Sequence, residues 1–308
     1  MRSIGFIIFT LFLIVSCTET NVDNKIINAK ALGVAAAGNP FSDYWDQGLA
    51  EITTYDLKQA RYGEIHEGTA NTIFVTEPFS KSKHVKLDNP GASPSDNVPV
   101  LKLNFTRKFF TGIYPYSTML SIFKPVDQQR NPKALKAVFG AQEWCGQTFT
   151  QLDLAAGGYE VESFSYFESE GDLRSKVSPS VLEDELWLTL RIHPESLPTG
   201  EFNSIPGLTF SRLSHHPVEA VPATATMTTG SKTNTYSIHY PSYDRTLSIE
   251  FENEFPHEIV SWKEKGMSGF GVHRKELITT ATLRARKMLD YWNKHDLKDA
   301  GLRAELGL

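Results

Sequence analysis

The amino-acid sequence predicts a mainly β protein: an antiparallel barrel or half-barrel of about ten or more strands, with one internal helix and a short C-terminal helix. Three observations predict it. Apolar and polar residues alternate with a period of two, as in Leu101, Leu103 and Phe105 against Lys102, Asn104, Thr106 and Lys108, the pattern of a strand with one dry face and one wet face. Gly, Pro, Asn and Asp interrupt these runs at hairpin spacing, where turns need positive φ or a fixed one. One segment changes period: Leu182, Leu186 and Leu190 recur every fourth residue, behind Ser180 and Glu183 as a capping box, and Pro194 ends it. That segment is the internal helix.

Taken in order, the first strands are expected near residues 51–60 and 69–77, joined around Gly63 and Gly68. Val98 to Lys108 and Ile113 to Pro125 form a pair across Thr111-Gly112, residues 134–154 hold one or two strands, and Tyr159 to Phe167 follows the turn Ala155-Ala156-Gly157-Gly158. After the helix, strands are expected at 208–213, 218–228, 232–240, 245–253, 258–263 and 277–286, with Pro241-Ser242-Tyr243-Asp244 as a four-residue loop. Leu247, Ile249 and Phe251 supply a core face. A closing helix is expected over Asp296 to Glu305, resting on Leu297, Leu302 and Leu306.

The N-terminus carries the most specific signal in the chain. Arg2 precedes an apolar run from Ile4 to Val15, too short to cross a bilayer, and small Ser16 precedes Cys17. The segment resembles the bacterial lipoprotein signal, which implies cleavage before Cys17 and acylation of its thiol. Multiple acyl chains hold a protein stably on a membrane. Residues 1–16 are then signal peptide, 17–39 the lipidated cysteine and its polar, alanine-rich tether, and 40–308 a single β-rich domain. Thr18 rather than Asp after the cysteine favours, by the same resemblance, the outer membrane.

Composition narrows the partners. The formal net charge is -5, and loss of Arg2 with the signal gives -5 - 1 = -6, which argues against a nucleic-acid partner. With Cys17 lipidated, Cys145 is the remaining cysteine of two. No internal disulfide framework is expected, and a lone thiol is by residue preference a buried small apolar group.

Several candidates for chemistry are each set against a plainer role. Trp144-Cys145-Gly146 lacks the second cysteine of a dithiol motif, since Thr148 stands in its place. A catalytic Cys145 needs a base nearby in space, while strand alternation puts Glu143, Cys145, Gln147 and Gln151 on one face. His215-His216, if in a strand, point to opposite faces and do not share a metal; no cofactor or metal site is expected. Glu168, Glu170 and Asp172 read as a solvated loop, with a carboxylate pair about 7 Å apart along a strand as the sharper alternative. Phe109, Phe110, Tyr114, Tyr116 and Phe123 read as core or as the lining of an apolar cavity.

The segments Gln59 to Gly68, Lys86 to Pro90, Thr111 to Tyr116, Gln142 to Gly146 and Phe164 to Asp172 together resemble an uncharacterised family of bacterial lipoproteins that carries the label septum formation inhibitor Maf. The resemblance covers most of the mature chain. The Ser-x-Arg-Arg type motif of true Maf pyrophosphatases does not follow the signal, so no catalytic residue carries over. The expected function is that of an outer-membrane-anchored envelope lipoprotein, non-enzymatic, facing the periplasm or the surface and binding an apolar ligand, a lipid or another envelope protein. The alternative is a Cys145-dependent hydrolase or transferase.

Overall fold

Among the described residues, sixteen strands make one sheet. The structure is a computed structural model that describes residues 39–308; the readings placed on residues 1–38, Cys17 among them, lie outside the described residues. The strands are β1 (Ala50–Arg61), β2 (Glu64–Ser80), β3 (Val85–Lys86), β4 (Asn97–Thr111), β5 (Tyr114–Pro125), β6 (Lys136–Glu143), β7 (Gly146–Ala155) and β8 (Gly158–Ser165). There follow β9 (Leu173–Val177), β10 (Val181–Leu182), β11 (Gly200–Ile205), β12 (Val221–Thr229), β13 (Thr233–Tyr240), β14 (Arg245–Glu252), β15 (Ile259–Ser268) and β16 (Lys275–Leu289). The turn between β1 and β2 is Tyr62-Gly63, both at positive φ (53° and 80°), as a two-residue hairpin with right-handed strand twist requires.

Two meanders meet in mid-sheet. The spatial order runs from β10 through β16, then β1, β2 and β4 to β9, with β3 beside β2. First and last strands therefore pair with each other, β1 against β16, and every other ladder is also antiparallel except β10 with β11. The two sheet edges, β9 and β10, are consecutive in the chain. Residues 178–180 link them, a span of at most about 14 Å across four residue steps, yet no ladder joins them. The sheet curls almost around on itself and is not closed.

Inside the curl lies α2 (Glu183–Ile192), all ten of whose residues are buried. Its apolar side packs by aromatic contact: Trp187 meets Phe105 at 5.2 Å and Trp262 at 5.4 Å, and Trp262 meets Tyr55 at 4.7 Å. Its charged residues are buried as well, so each needs an opposite charge or hydrogen bonds supplied by the strands. At the C-terminal end Arg191 pairs bidentately with Glu51 of β1 (2.6 and 2.8 Å) and donates to the Pro256 carbonyl (2.8 Å). Tyr44, on α1 (Pro40–Trp45), donates to the same Glu51 carboxylate at 2.5 Å. Glu185, in the first turn of α2, accepts from Lys124 (2.8 Å), from the Ala134 amide (2.6 Å) and from the Leu182 amide (3.2 Å).

Three expectations are corrected. Residues 208–213 are not a strand: α3 (Leu208–Ser214) is a short helix, whose first amide, that of Leu208, donates to Asp184 at 2.9 Å. The internal helix starts at Glu183 with Leu182 in the capping position, so Glu185 rather than Glu183 completes the cap. At the C-terminus a 3-10 turn (Leu297–Gly301) precedes α4 (Leu302–Glu305); Leu306 is buried there, whereas Leu297 is 95% exposed and is no contact. The edge strand β9, and β11 next to the two-residue edge strand β10, escaped the alternation reading because Arg174, Ser175 and Lys176, and Glu201, Asn203 and Ser204, make them mostly polar, as strands at or near an edge tend to be.

Candidate functional site

In an antiparallel meander every second connection falls at the same end of the sheet. One end thus gathers the turns Tyr62-Gly63, Gly112-Ile113 and Trp144-Cys145, the loop 166–172, the loop 269–274, the 3-10 turn Pro241–Tyr243, and the connection carrying α3. Four of the five segments singled out in the sequence meet here. The fifth, Lys86 to Pro90, lies at the other end beside β3.

Helix α3 lies across this end and is clamped by charge. Arg212 donates to Glu143 (2.8 Å) and Thr148 (3.1 Å), lies 3.5 Å from Glu170, and stacks 4.6 Å over the Phe167 ring. His215 sits just past the helix in the left-handed conformation (φ 55°), with Nδ1 2.6 Å from Glu170 Oε1, while Ser165 donates to Oε2 at 2.6 Å. Burial opposes ionisation of Glu170, but Ser165, His215 and Arg212 together hold its carboxyl below the usual range. Glu170 is therefore an ion-pair partner of the clamp. Glu168 and Asp172 are exposed in a turn, not spaced along a strand. His216 faces Tyr243 and Phe210 with ring centroids at 4.4 and 5.4 Å, and among the described residues no cluster of three or more His, Cys, Asp or Glu gathers as metal ligands.

Cys145 is exposed, not buried. The register pairs Glu143 with Gly146, so Trp144 and Cys145 form a two-residue turn and the shared strand face of Glu143, Cys145 and Gln147 does not exist. The Cys145 amide donates to the Tyr114 hydroxyl at 2.9 Å, and that hydroxyl donates to Glu143 at 2.8 Å. His66 lines the same open cleft of about 450 Å³, but its Nε2 is hydrogen-bonded to the Arg61 carbonyl at 3.1 Å.

The aromatic cluster divides. Phe109 and Tyr116 are buried and stacked at 4.8 Å, Phe123 stacks on Phe79 at 4.7 Å, Tyr114 is half-buried, and Phe110 is exposed. Tyr114 lines the open cleft beside Cys145, and the others form core and rim.

A cavity of about 540 Å³ opens at this same end, between α3, the Pro241–Tyr243 turn and the 269–274 loop. Phe210, Leu213, Tyr243, Met267, Phe270 and Leu277 give it apolar walls. Its floor is ionic. Arg245 pairs bidentately with Glu183 of α2 (2.5 and 2.7 Å) and with Glu264 (2.8 Å), whose other oxygen lies 3.6 Å from Arg107. Arg107 also donates to Gln59 at 3.4 Å, and its Nε has no partner. Arg61 donates to the Leu213 carbonyl and lies 3.4 and 3.5 Å from the hydroxyls of Tyr62 and Tyr116.

Sequence reasoning missed Arg107, Arg245 and Glu264 as site residues and included Arg61 only within the segment Gln59 to Gly68, although a signal existed. Arg61 continues the face of Tyr55, Leu57 and Gln59, Arg107 stands between Phe105 and Phe109, Arg245 leads into Leu247, Ile249 and Phe251, and Glu264 follows Trp262. Each is a charge in the core phase of a strand.

No protein-family model, curated protein or solved structure matches this chain.

Asp184, beneath the cavity, has its pKa pushed up to about 7 by burial and by neighbouring Glu183, against the pull of the Leu208 amide, Arg245 and Arg107. Since this value lies above the unfolded one, the native state holds the extra proton from about pH 4 to about pH 7, and the stability it brings is lost as pH rises through that window. His216 and His257, held below their usual pKa mainly by burial, act in the opposite direction and are common to wild type and variant. Urea unfolding of wild type and Asp184→Asn at several pH values isolates the carboxyl. The variant is expected to gain relative to wild type between pH 5 and pH 7, by at most about 1.4 kcal/mol per pH unit, then level off; parallel curves contradict the assignment.

Proposed function

We propose that this chain is a lipid-anchored protein of the bacterial outer membrane that binds an apolar ligand, a lipid or a molecule with a comparable chain, without catalysing its conversion. The observation that carries the reading is the cavity above the N-terminal end of α2. Its volume of about 540 Å³ falls in the range of small-molecule sites, about 300–1,000 Å³, and its upper walls are apolar. Around its mouth Phe270 and Val272 are exposed, Val272 by 95%, a setting suited to a partner that arrives from an apolar phase. The anchor rests on the signal-like segment ending at Cys17. Among the described residues no helix is long and apolar enough to cross a membrane.

The anchor is tested by feeding producing cells a fatty-acid analogue. Wild type is expected to take the label and to fractionate with outer membrane, and Cys17→Ala to lose both; label retained on the variant contradicts the anchor.

The cavity is tested with the neutral fluorophore N-phenylnaphthylamine on the full mature protein in phospholipid nanodiscs, with empty nanodiscs as blank. A Cβ on Gly266 would lie 3.8 Å from Arg245, an ordinary contact, and Gly266 lines the cavity. Gly266→Phe is therefore expected to fill the space, weaken binding by about tenfold (~1.4 kcal/mol) and leave the melting temperature close to wild type. Equal binding by both proteins contradicts the cavity as the site.

A further inference from the structure

We infer that the cavity takes an amphiphile with an anionic group, a carboxylate or a phosphate, whose charge is held by Arg61 and Arg107 while its chain lies along Phe210, Tyr243 and Leu277. This deepens the binding function proposed above and rests on it. The argument starts from charge. The lining carries the cations Arg61, Arg107, Arg245, Lys265 and Arg274 and the carboxylates Asp244 and Glu264. Arg245 is fully engaged by Glu183 and Glu264, and Lys265 turns to Glu276 at 2.9 Å. Glu264 is shared between Arg245 and Arg107.

Arg61 is left as a buried cation without a carboxylate. It is 7% exposed, and among the described residues no acidic group stands within ion-pair distance of it. Its nitrogens reach one backbone carbonyl and two tyrosine hydroxyls at the limit of hydrogen bonding, and Nε reaches nothing. The Tyr62 ring lies 4.3 Å from its guanidinium carbon, which offsets part of the cost of burial. Arg107, 6% exposed, is only half matched, by one carboxylate oxygen at 3.6 Å and an amide oxygen at 3.4 Å. A buried guanidinium remains charged and is costly unless its N–H groups find partners. Two nearly buried guanidinium groups line one cavity, from β1 and from β4 with β2 between them; together they offer a fork for an anion, and an arriving carboxylate or phosphate would supply the missing charge-assisted bonds. Phe210, Tyr243 and Leu277 offer the rest of that ligand an apolar surface.

Isothermal titration calorimetry on the full mature protein in nanodiscs, blanked against empty nanodiscs, tests this with four probes: octanoate, octyl phosphate, octanol and inorganic phosphate. At least one of the two anionic amphiphiles is expected to bind about tenfold or more tightly than octanol, and the stronger of the two tells carboxylate from phosphate. Arg61→Met is expected to bring that preference to within about twofold while octanol binding stays near wild type, and Arg61→Lys to keep part of it. The wild-type comparison holds even if Arg61→Met does not fold. Octanol binding as tightly as both anions overturns this inference and leaves the apolar cavity standing. Inorganic phosphate binding as tightly as octyl phosphate overturns the amphiphile. Failure of all four to bind, with N-phenylnaphthylamine still bound, overturns the anion fork alone; failure of the fluorophore as well takes the binding function with it.

Discussion

A helix bearing Glu183, Asp184, Glu185 and Arg191 is buried along its whole length inside the curl of the sheet, and the fold around it is arranged to neutralise it. A charge taken out of water costs several kcal/mol unless paired, and removing one partner of a buried pair costs about 3–5 kcal/mol. The strands accordingly place Glu51, Lys124 and Arg245 on their inner face, opposite Arg191, Glu185 and Glu183 in turn. These pairings lock the rotation of α2 within the curl. They also tie its two ends to strands from opposite halves of the chain, β1 at one end and β14 at the other, so the two meanders are held together by ion pairs as well as by the β1–β16 ladder.

Asp184 is the exception to this matching. Its carboxyl accepts from the Leu208 amide and has no dedicated cation, so burial and neighbouring Glu183 prevail and push its pKa up to about 7. That contact with Leu208 sets α3 across the open end of the sheet, where Arg212 and His215 bind it to the 6–7 turn and to Glu170. The space between α3 and strands β14 to β16 is the cavity. Of the three arginines on its floor the helix takes only Arg245; Arg107 shares Glu264 with it and Arg61 has no carboxylate, which is the origin of the surplus positive charge.

Alternation made most strands legible because one face is dry. It was least informative where both faces are polar, as in β9, and where a segment is too short to distinguish periods, as in Leu208 to Leu213. Six residues fit either a strand or a turn and a half of helix; what decides for helix is the Asp184 carboxylate at its start, a contact from across the fold. Cys145 illustrates a different limit. Residue preference favoured burial, but a one-residue matter of register, Glu143 opposite Gly146, places it on a turn tip. The site itself was written in the sequence as charges at core phase, Arg61, Arg107, Arg245 and Glu264, and is visible once the alternation is read for its violations rather than its matches.

The central claim, that α2 is an enclosed and charge-matched part of the core, is tested most directly by native-state hydrogen exchange. The amides from Leu186 to Ile192 are expected to exchange only through global unfolding, with the same free energy as the central amides of β1 and β16. Exchange of these helix amides through a cheaper local opening, while β1 and β16 remain protected, would contradict the account.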